Sequence, residues 1–206
     1  MSTILVVDDN IYVVDVLLKM LKHGGYLAFG TYSGEECQTV LKNITPDLIL
    51  LDIMMEPMDG WKTLEKIKGG STTAQIPVIM LTSKNVTPAE VENYGKYIED
   101  YVLKPVTNIE LYNVIEHVFQ RRQIIKADVG RAVQRGIYPD VIDEYAHLSR
   151  SIDINSRFLN IFETGYILDE SSIYSDKLGQ ALEKLDAIIK VQKTRLQQIQ
   201  EEIQAA

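Results

Sequence analysis

The chain has 206 residues, of which 46% are hydrophobic and 24% are charged, an ordinary globular composition that supports a packed core. Its formal net charge of -8 argues against a nucleic-acid-binding face, except over residues 121–136, which hold five basic residues and one acidic residue. The sequence shows no secretory leader and no apolar run of about 20 residues, the length that spans a bilayer. Its single cysteine, Cys37, cannot form an internal disulfide. We therefore expect a cytoplasmic protein without a membrane span.

The first 120 residues alternate between strand and helix patterns. Apolar runs predict five strands, at 4–7, 27–32, 47–51, 77–81 and 101–103. Apolar residues at three- and four-residue spacing predict five helices, at 11–22, 34–43, 60–68, 87–97 and 108–120. This alternation is typical of an α/β fold with a doubly wound five-stranded parallel sheet, in which ligands bind beyond the carboxyl ends of the strands.

The strand patterns stop after residue 120. The basic segment 121–136 is expected to extend the preceding helix, with Gly136 ending it, and Pro139 suits the first turn of a new helix. We therefore predict three parts: a domain over 1–121, a basic helical linker over 122–136, and an all-α output region over 137–206.

Residues 137–206 carry apolar residues at alternating steps of four and three, from Val141 to Phe162 and again from Leu178 to Ile203. This spacing predicts a helical hairpin or coiled coil. One polar residue interrupts each series, Asn155 in the first and Gln192 in the second. Such residues either fix the register or oligomeric state, or lie where the seam is exposed; the pattern leaves both open.

Polar residues follow the predicted strands at their carboxyl ends. Asp8 and Asp9 follow the first strand and Asp52 the third, and three carboxylates at one sheet edge suit a hard divalent cation, Mg²⁺ before zinc. Thr82 and Lys104 follow the fourth and fifth strands, and a hydroxyl and an ammonium there would bind oxygens of a phosphoryl group. The pattern predicts phosphoryl transfer onto Asp52 as the nucleophile.

Four segments together carry a family resemblance. "LVVDDN" (5–10), "LLDIMMEPMDG" (50–60), "LTS" (81–83) and "YVLKP" (101–105) are similar to the signatures of the receiver domain of two-component response regulators. The resemblance covers about residues 1–121 and implies a flavodoxin-like fold, a histidine kinase as phosphodonor, and a signalling protein that assists only its own phosphorylation and dephosphorylation.

The resemblance also implies roles for the metal ligands. Asp52 would be the phosphoacceptor, Asp9 would bind Mg²⁺ directly, and Asp8 would bind it directly or through water. The backbone carbonyl of Met54 would complete the protein ligands.

On the phosphoryl side, the resemblance implies that the Thr82 hydroxyl turns to a phosphoryl oxygen and that Lys104 pairs with the phosphoryl group. Tyr101 would be the switch aromatic that turns inward when Thr82 follows the phosphate. A tyrosine at this position also fits ordinary packing.

The chain departs from the receiver pattern in one place. Receivers usually have Met-Pro after the acceptor. In this chain Glu56 occupies the usual position of the proline, and Pro57 comes one place later. The positions two after the acceptor and two after the conserved Thr influence water attack in this family. Here they are Met54 and Lys84, neither of which orients water, so we predict self-dephosphorylation over minutes or longer.

The output of residues 137–206 is less specific. The stretch "DEYAHLSRSIDIN" (143–155) faintly resembles the HalX-type helical domain of archaeal regulators. The leading hypothesis is a phosphorylation-controlled pairing of the helices, within one chain, in a homodimer through the receiver or C-terminal helices, or with a protein partner.

The alternative output is a DNA-binding regulator whose basic segment contacts DNA phosphates through Arg121, Arg122, Lys126, Arg131 and Arg135. The same basic residues also fit a linker helix whose charged side chains are simply solvated. A haloacid-type phosphatase needs a second Asp two residues after the nucleophile, where this chain has Met54.

Overall fold

The computed structural model describes residues 1–83, 87–165 and 175–205. They divide into two compact units, the first from 1–87 and 96–116, the second from 88–95 and 117–206. No helix in these described ranges is both long enough and apolar enough to cross a membrane.

The first unit is built on a five-stranded parallel sheet, as predicted. Its strands are β1 (Thr3–Val7), β2 (Leu27–Thr31), β3 (Leu48–Asp52), β4 (Val78–Thr82) and β5 (Asp100–Leu103), in the order β2-β1-β3-β4-β5. Every side chain of β3 and β4 is buried, which explains why these strands read as unbroken apolar runs rather than alternating patterns.

Helices connect the strands in the predicted order. They are α1 (Ile11–His23), α2 (Gly34–Val40), α3 (Gly60–Gly69), α4 (Pro88–Tyr94), which a 3₁₀ turn at Gly95–Tyr97 follows, and α5 (Asn108–Gln134). Polar side chains cap the first three helices: Asn10 accepts hydrogen bonds from the first turn of α1, and Ser33 and Asp59 do the same for α2 and α3. The buried face of α1 is centred on Val14, Leu17 and Leu21.

The second unit contains the C-terminal helices. From His117 onward α5 belongs to this unit, followed by α6 (Pro139–Gly165) and α7 (Ser175–Ala205). Gly136 has a φ of 74°, and the N–H groups of Gly136 and Ile137 donate to the carbonyls of Val133 and Ala132, so the helix ends in a Schellman motif at the predicted glycine.

The helices α6 and α7 form an antiparallel hairpin with an apolar seam. Tyr145 and Leu148 of α6 pack with Ile199 of α7, flanked by the partly buried Ile152 and Leu196. These residues belong to the series from which the hairpin was predicted.

Three further residues of α6, Ile142, Ile154 and Phe158, are buried but lie outside the four-three series, so the sequence did not predict their burial.

The two polar interruptions of the seam bind each other. Asn155 Nδ2 donates to Gln192 Oε1 at 3.3 Å, and Gln192 Nε2 donates to Ser151 Oγ at 2.9 Å. Both side chains are half-buried, so of the two alternatives left open by the sequence, the structure supports a register-fixing polar layer within one chain.

Candidate functional site

The register of the sheet places four polar residues at one edge. Val7 of β1 pairs with Leu51 of β3, so the next residues, Asp8 and Asp52, lie at the same level. Thr82 of β4 pairs with Leu103 of β5, and the N–H of Lys104 donates to the Thr82 carbonyl at 2.8 Å. The carboxyl ends of β1, β3, β4 and β5 thus bring together side chains that are far apart in the sequence.

The ammonium of Lys104 bridges two buried carboxylates. Its Nζ lies 2.5 Å from Asp8 Oδ2 and 2.6 Å from Asp52 Oδ1. Asp8, Asp52 and Thr82 are all buried, and the Lys104 side chain is only 16% exposed. Two like charges at this depth would repel strongly without a cation between them, so the lysine supplies charge balance in the protein itself.

Asp9 lies at the exposed side of the same group. One carboxylate oxygen from each of Asp8, Asp9 and Asp52 lies within 4.8 Å of the other two, close enough for one cation to bind all three residues. Three carboxylates and one ammonium leave two negative charges uncompensated, which equals the charge of one divalent ion. An all-oxygen donor set with this charge fits Mg²⁺, as the sequence predicted.

Burial raises the pKa of Asp52 above its usual value. The hydrogen bond and charge of Lys104 act in the opposite direction, as does the backbone N–H of Met54, while the charge of Asp8 raises the pKa further. The lysine therefore favours the ionised carboxylate that a nucleophile requires.

The loop between β3 and α3 folds closely over the backbone of Asp52. The Gly60 N–H donates to the Ile53 carbonyl at 2.9 Å, and a Cβ at position 60 would lie 2.0 Å from the Asp52 carbonyl oxygen. Only glycine fits there. Gly60 ends the motif "LLDIMMEPMDG", but this steric requirement was not predicted; the Asp-Gly pair directly before a helix is the sequence signal that indicates it.

The remaining site residues differ in exposure. Met54 is 59% exposed, whereas Tyr101 in β5 is buried, with 4% of its surface accessible. The inward position of Tyr101 is the one expected of either a turned-in switch residue or a packed core residue. Lys84, which the sequence pairs with Met54 in the dephosphorylation prediction, lies outside the described residues.

Basic residues proposed for DNA contact are engaged within the second unit. Arg121 is buried and forms a salt bridge with Asp153, to which His117 also bonds at 2.7 Å. Arg131 pairs with Asp128, and Arg135 Nη1 donates to the Ile203 carbonyl at 2.6 Å. The contact of Arg121 joins α5 to α6 and that of Arg135, directly after α5, reaches α7, whereas Arg131 pairs within α5 and its side chain stays 64% exposed. The buried Arg121 in particular is little available for phosphates.

Comparison with protein families identifies the sheet-containing part. Residues 4–116 match the family model described as "Response regulator receiver domain". The chain belongs to the response regulator receiver family. The remaining part of this receiver protein, residues 121–206, matches a model described as "Metanogen output domain 2". The matching model is thus not that of the HalX-type domain that the sequence faintly resembles.

Individual relatives agree on the receiver. The N-terminal domain of a response regulator receiver protein from Methanoculleus marisnigri JR1 is 58% identical, with a TM-score of 0.50 over 57% of this chain and 96% of that one. The receiver domain of the sensor histidine kinase PA1611 from Pseudomonas aeruginosa PAO1, crystallised with a magnesium ion in its active site cleft, is 26% identical, with a TM-score of 0.51 over 56% and 95% of the two chains.

Among curated proteins, the phosphate regulon transcriptional regulatory protein PhoB from Pseudomonas aeruginosa is 30% identical over 58% of this chain and 52% of its own length. The receiver protein spans about half the length of the curated relatives it matches. The likeness therefore does not extend to the other half of these relatives.

Proposed function

We propose that this receiver protein is a phosphorylation-dependent response regulator that accepts a phosphoryl group from a histidine kinase on Asp52. The observation that carries the proposal is the buried Asp52 carboxylate held by Lys104 beside Asp8 and Asp9. A cytoplasmic location is part of this proposal.

In the proposed reaction an oxygen of Asp52 attacks the phosphorus of phosphohistidine. An O–P bond forms, the P–N bond breaks, and its electron pair stays on the imidazole of the kinase. Lys104 already donates a hydrogen bond to Asp52 Oδ1, so its ammonium is close enough to bind an oxygen of the transferred phosphoryl group. The Thr82 hydroxyl would bind another phosphoryl oxygen, with Tyr101 as the residue that senses its position.

The carboxylates of Asp8, Asp9 and Asp52, with the Met54 carbonyl, would hold Mg²⁺. Bound there, the ion would shield the negative charges of the acceptor and the incoming phosphoryl group. The charge balance of the site supports this assignment, as does the magnesium in the cleft of the related PA1611 receiver.

The helical region 137–206 is the proposed output, with residues 122–136 as the helical linker and 1–121 as the receiver. The match of 121–206 to an output-domain model supports a boundary near residue 121. We favour helix pairing over DNA binding, because Arg121 is buried against Asp153 of α6 and Arg135 donates to a carbonyl of α7. Slow self-dephosphorylation stays a prediction from Met54 and Lys84; a half-life of seconds in the purified phosphoprotein would contradict it.

Phosphorylation is tested with the purified full chain, a small phosphodonor such as acetyl phosphate, and Mg²⁺. Intact-mass spectrometry should detect one added phosphoryl group in the wild type and in the control Asp15→Asn, whose aspartate is exposed on α1. Asp52→Asn should gain none. Equal phosphorylation of Asp52→Asn and the wild type would refute the assignment of the acceptor.

The output is tested by light scattering with and without beryllofluoride and Mg²⁺, which imitate the phosphoryl group. A change of mass that Asp52→Asn abolishes would support phosphorylation-controlled self-association. An unchanged mass would favour rearrangement within one chain or a separate partner protein.

A further inference from the structure

One backbone group of the loop after β3 contacts a proposed metal ligand of the loop after β1. The N–H of Glu56 donates to Asp9 Oδ2 at 3.2 Å. This hydrogen bond joins two loops that are separated by 47 positions in the sequence. It ties the exposed Asp9 carboxylate to the loop that follows β3.

The donor exists because of the order of two residues. A proline has no N–H, and Pro57 directly follows Glu56. With proline at position 56, this hydrogen bond could not form. The place where the chain departs from the receiver pattern is therefore the place where it gains a backbone donor toward the site.

The hydrogen bond reduces the conformational freedom that the Asp9 side chain loses when it binds a cation. Asp9 is exposed, and an exposed side chain loses rotamer freedom when a ligand fixes it. The Glu56 amide fixes one of the two carboxylate oxygens beforehand and leaves the other able to bind the cation. Holding a ligand in position in advance raises affinity.

We propose that the backbone amide of Glu56 is a positioning group that orients Asp9 for divalent-cation binding and so tightens Mg²⁺ affinity. This inference rests on the proposed function of Asp8, Asp9 and Asp52 as the metal-binding acids. The Glu56 side chain has no part in it; the amide acts, and any residue except proline would supply it.

The test measures Mg²⁺ dissociation constants of the full chain by isothermal titration calorimetry, without a phosphodonor. The swap Glu56→Pro/Pro57→Glu removes the amide donor and keeps the composition, and should weaken Mg²⁺ binding by about fivefold. The matched variant Glu56→Gln removes the charge but keeps the amide, and should bind within about twofold of the wild type. Affinity in the swap equal to the wild type, or equal weakening in both variants, overturns the proposal.

Two further measurements separate the possible failures. Asp9→Ala should abolish most Mg²⁺ binding; if it binds like the wild type, the proposed metal site itself is wrong. If the swapped loop does not fold, hydrogen exchange of the Glu56 amide decides: it should be slow in the wild type and faster in Asp9→Ala without Mg²⁺. An exchange rate that Asp9→Ala leaves unchanged overturns the positioning role.

Discussion

Replacing Lys104 by methionine is the most direct perturbation of the site, because it removes one charge and nearly preserves the side-chain length. The Lys104 ammonium lies 2.5 Å from Asp8 Oδ2 and 2.6 Å from Asp52 Oδ1. Both carboxylates are buried, so in Lys104→Met they face each other without the cation that now separates them.

Removing one partner of a buried ion pair costs about 3–5 kcal/mol. Since the Lys104 side chain retains 16% exposure and water can partly replace it, the lower end of that range applies, about 3 kcal/mol. For a protein of this size that loss lowers Tm by about 10 °C.

The loss should depend on pH. Burial already raises the pKa of Asp52, and losing Lys104 raises it further. A carboxyl whose folded-state pKa lies above its unfolded value destabilises the protein as the pH rises through the interval between the two. The cost of Lys104→Met therefore shrinks as the pH falls toward the ordinary carboxyl pKa of about 4 and grows as the pH rises above it.

Thermal denaturation followed by circular dichroism, without divalent cations, checks both expectations. Lys19→Met makes the same chemical change at an exposed position on α1 and should stay within about 0.5 kcal/mol of the wild type. The reasoning fails if Lys104→Met melts within about 2 °C of the wild type near pH 7, or if the difference does not shrink at the lower pH.

Three other substitutions test the fold around the site and in the hairpin. Gly60→Ala places a Cβ 2.0 Å from a backbone carbonyl oxygen and should cost about 3 kcal/mol of stability in thermal melts. In the control Gly69→Ala the new Cβ has no neighbouring atom within 4 Å, so this variant should be neutral or stabilising. Equal effects of the two substitutions would contradict the steric argument. Gln192→Leu removes both cross-helix hydrogen bonds and should cost about 1 kcal/mol of stability. Adding Asn155→Leu should recover that stability, and light scattering of the double variant should then detect extra oligomers. A double variant no more stable than the single one would refute the polar layer. Burial raises the pKa of Asp153, but its basic partners outweigh this and hold that pKa below its usual value. Asp153→Asn should therefore cost about 2 kcal/mol near pH 7, and this cost should decrease only as the pH falls below about 4, through the lowered pKa. A pH-independent loss would exclude the charge as its cause.

Much of the fold was predictable because its signals are local. Buried parallel strands are continuous apolar runs, amphipathic helices repeat every three to four residues, and Gly136 marks a helix end by its own backbone conformation. The prediction of helix 87–97 was less accurate: α4 ends at Tyr94 and a 3₁₀ turn follows. Helix ends depend on cooperative hydrogen bonding, which single-residue preferences describe poorly.

The sequence by itself determined the alternation of strands and helices, the helical hairpin, and the set of acidic, hydroxyl and ammonium groups at the strand ends, because each depends on residue type and short-range spacing. Only the tertiary structure decided that Lys104 bridges Asp8 and Asp52, that the Glu56 amide bonds to Asp9, and that Arg121 is buried against Asp153. These contacts join residues at least 32 positions apart. Their formation depends on how whole elements pack, and no local pattern in the chain encodes those distances.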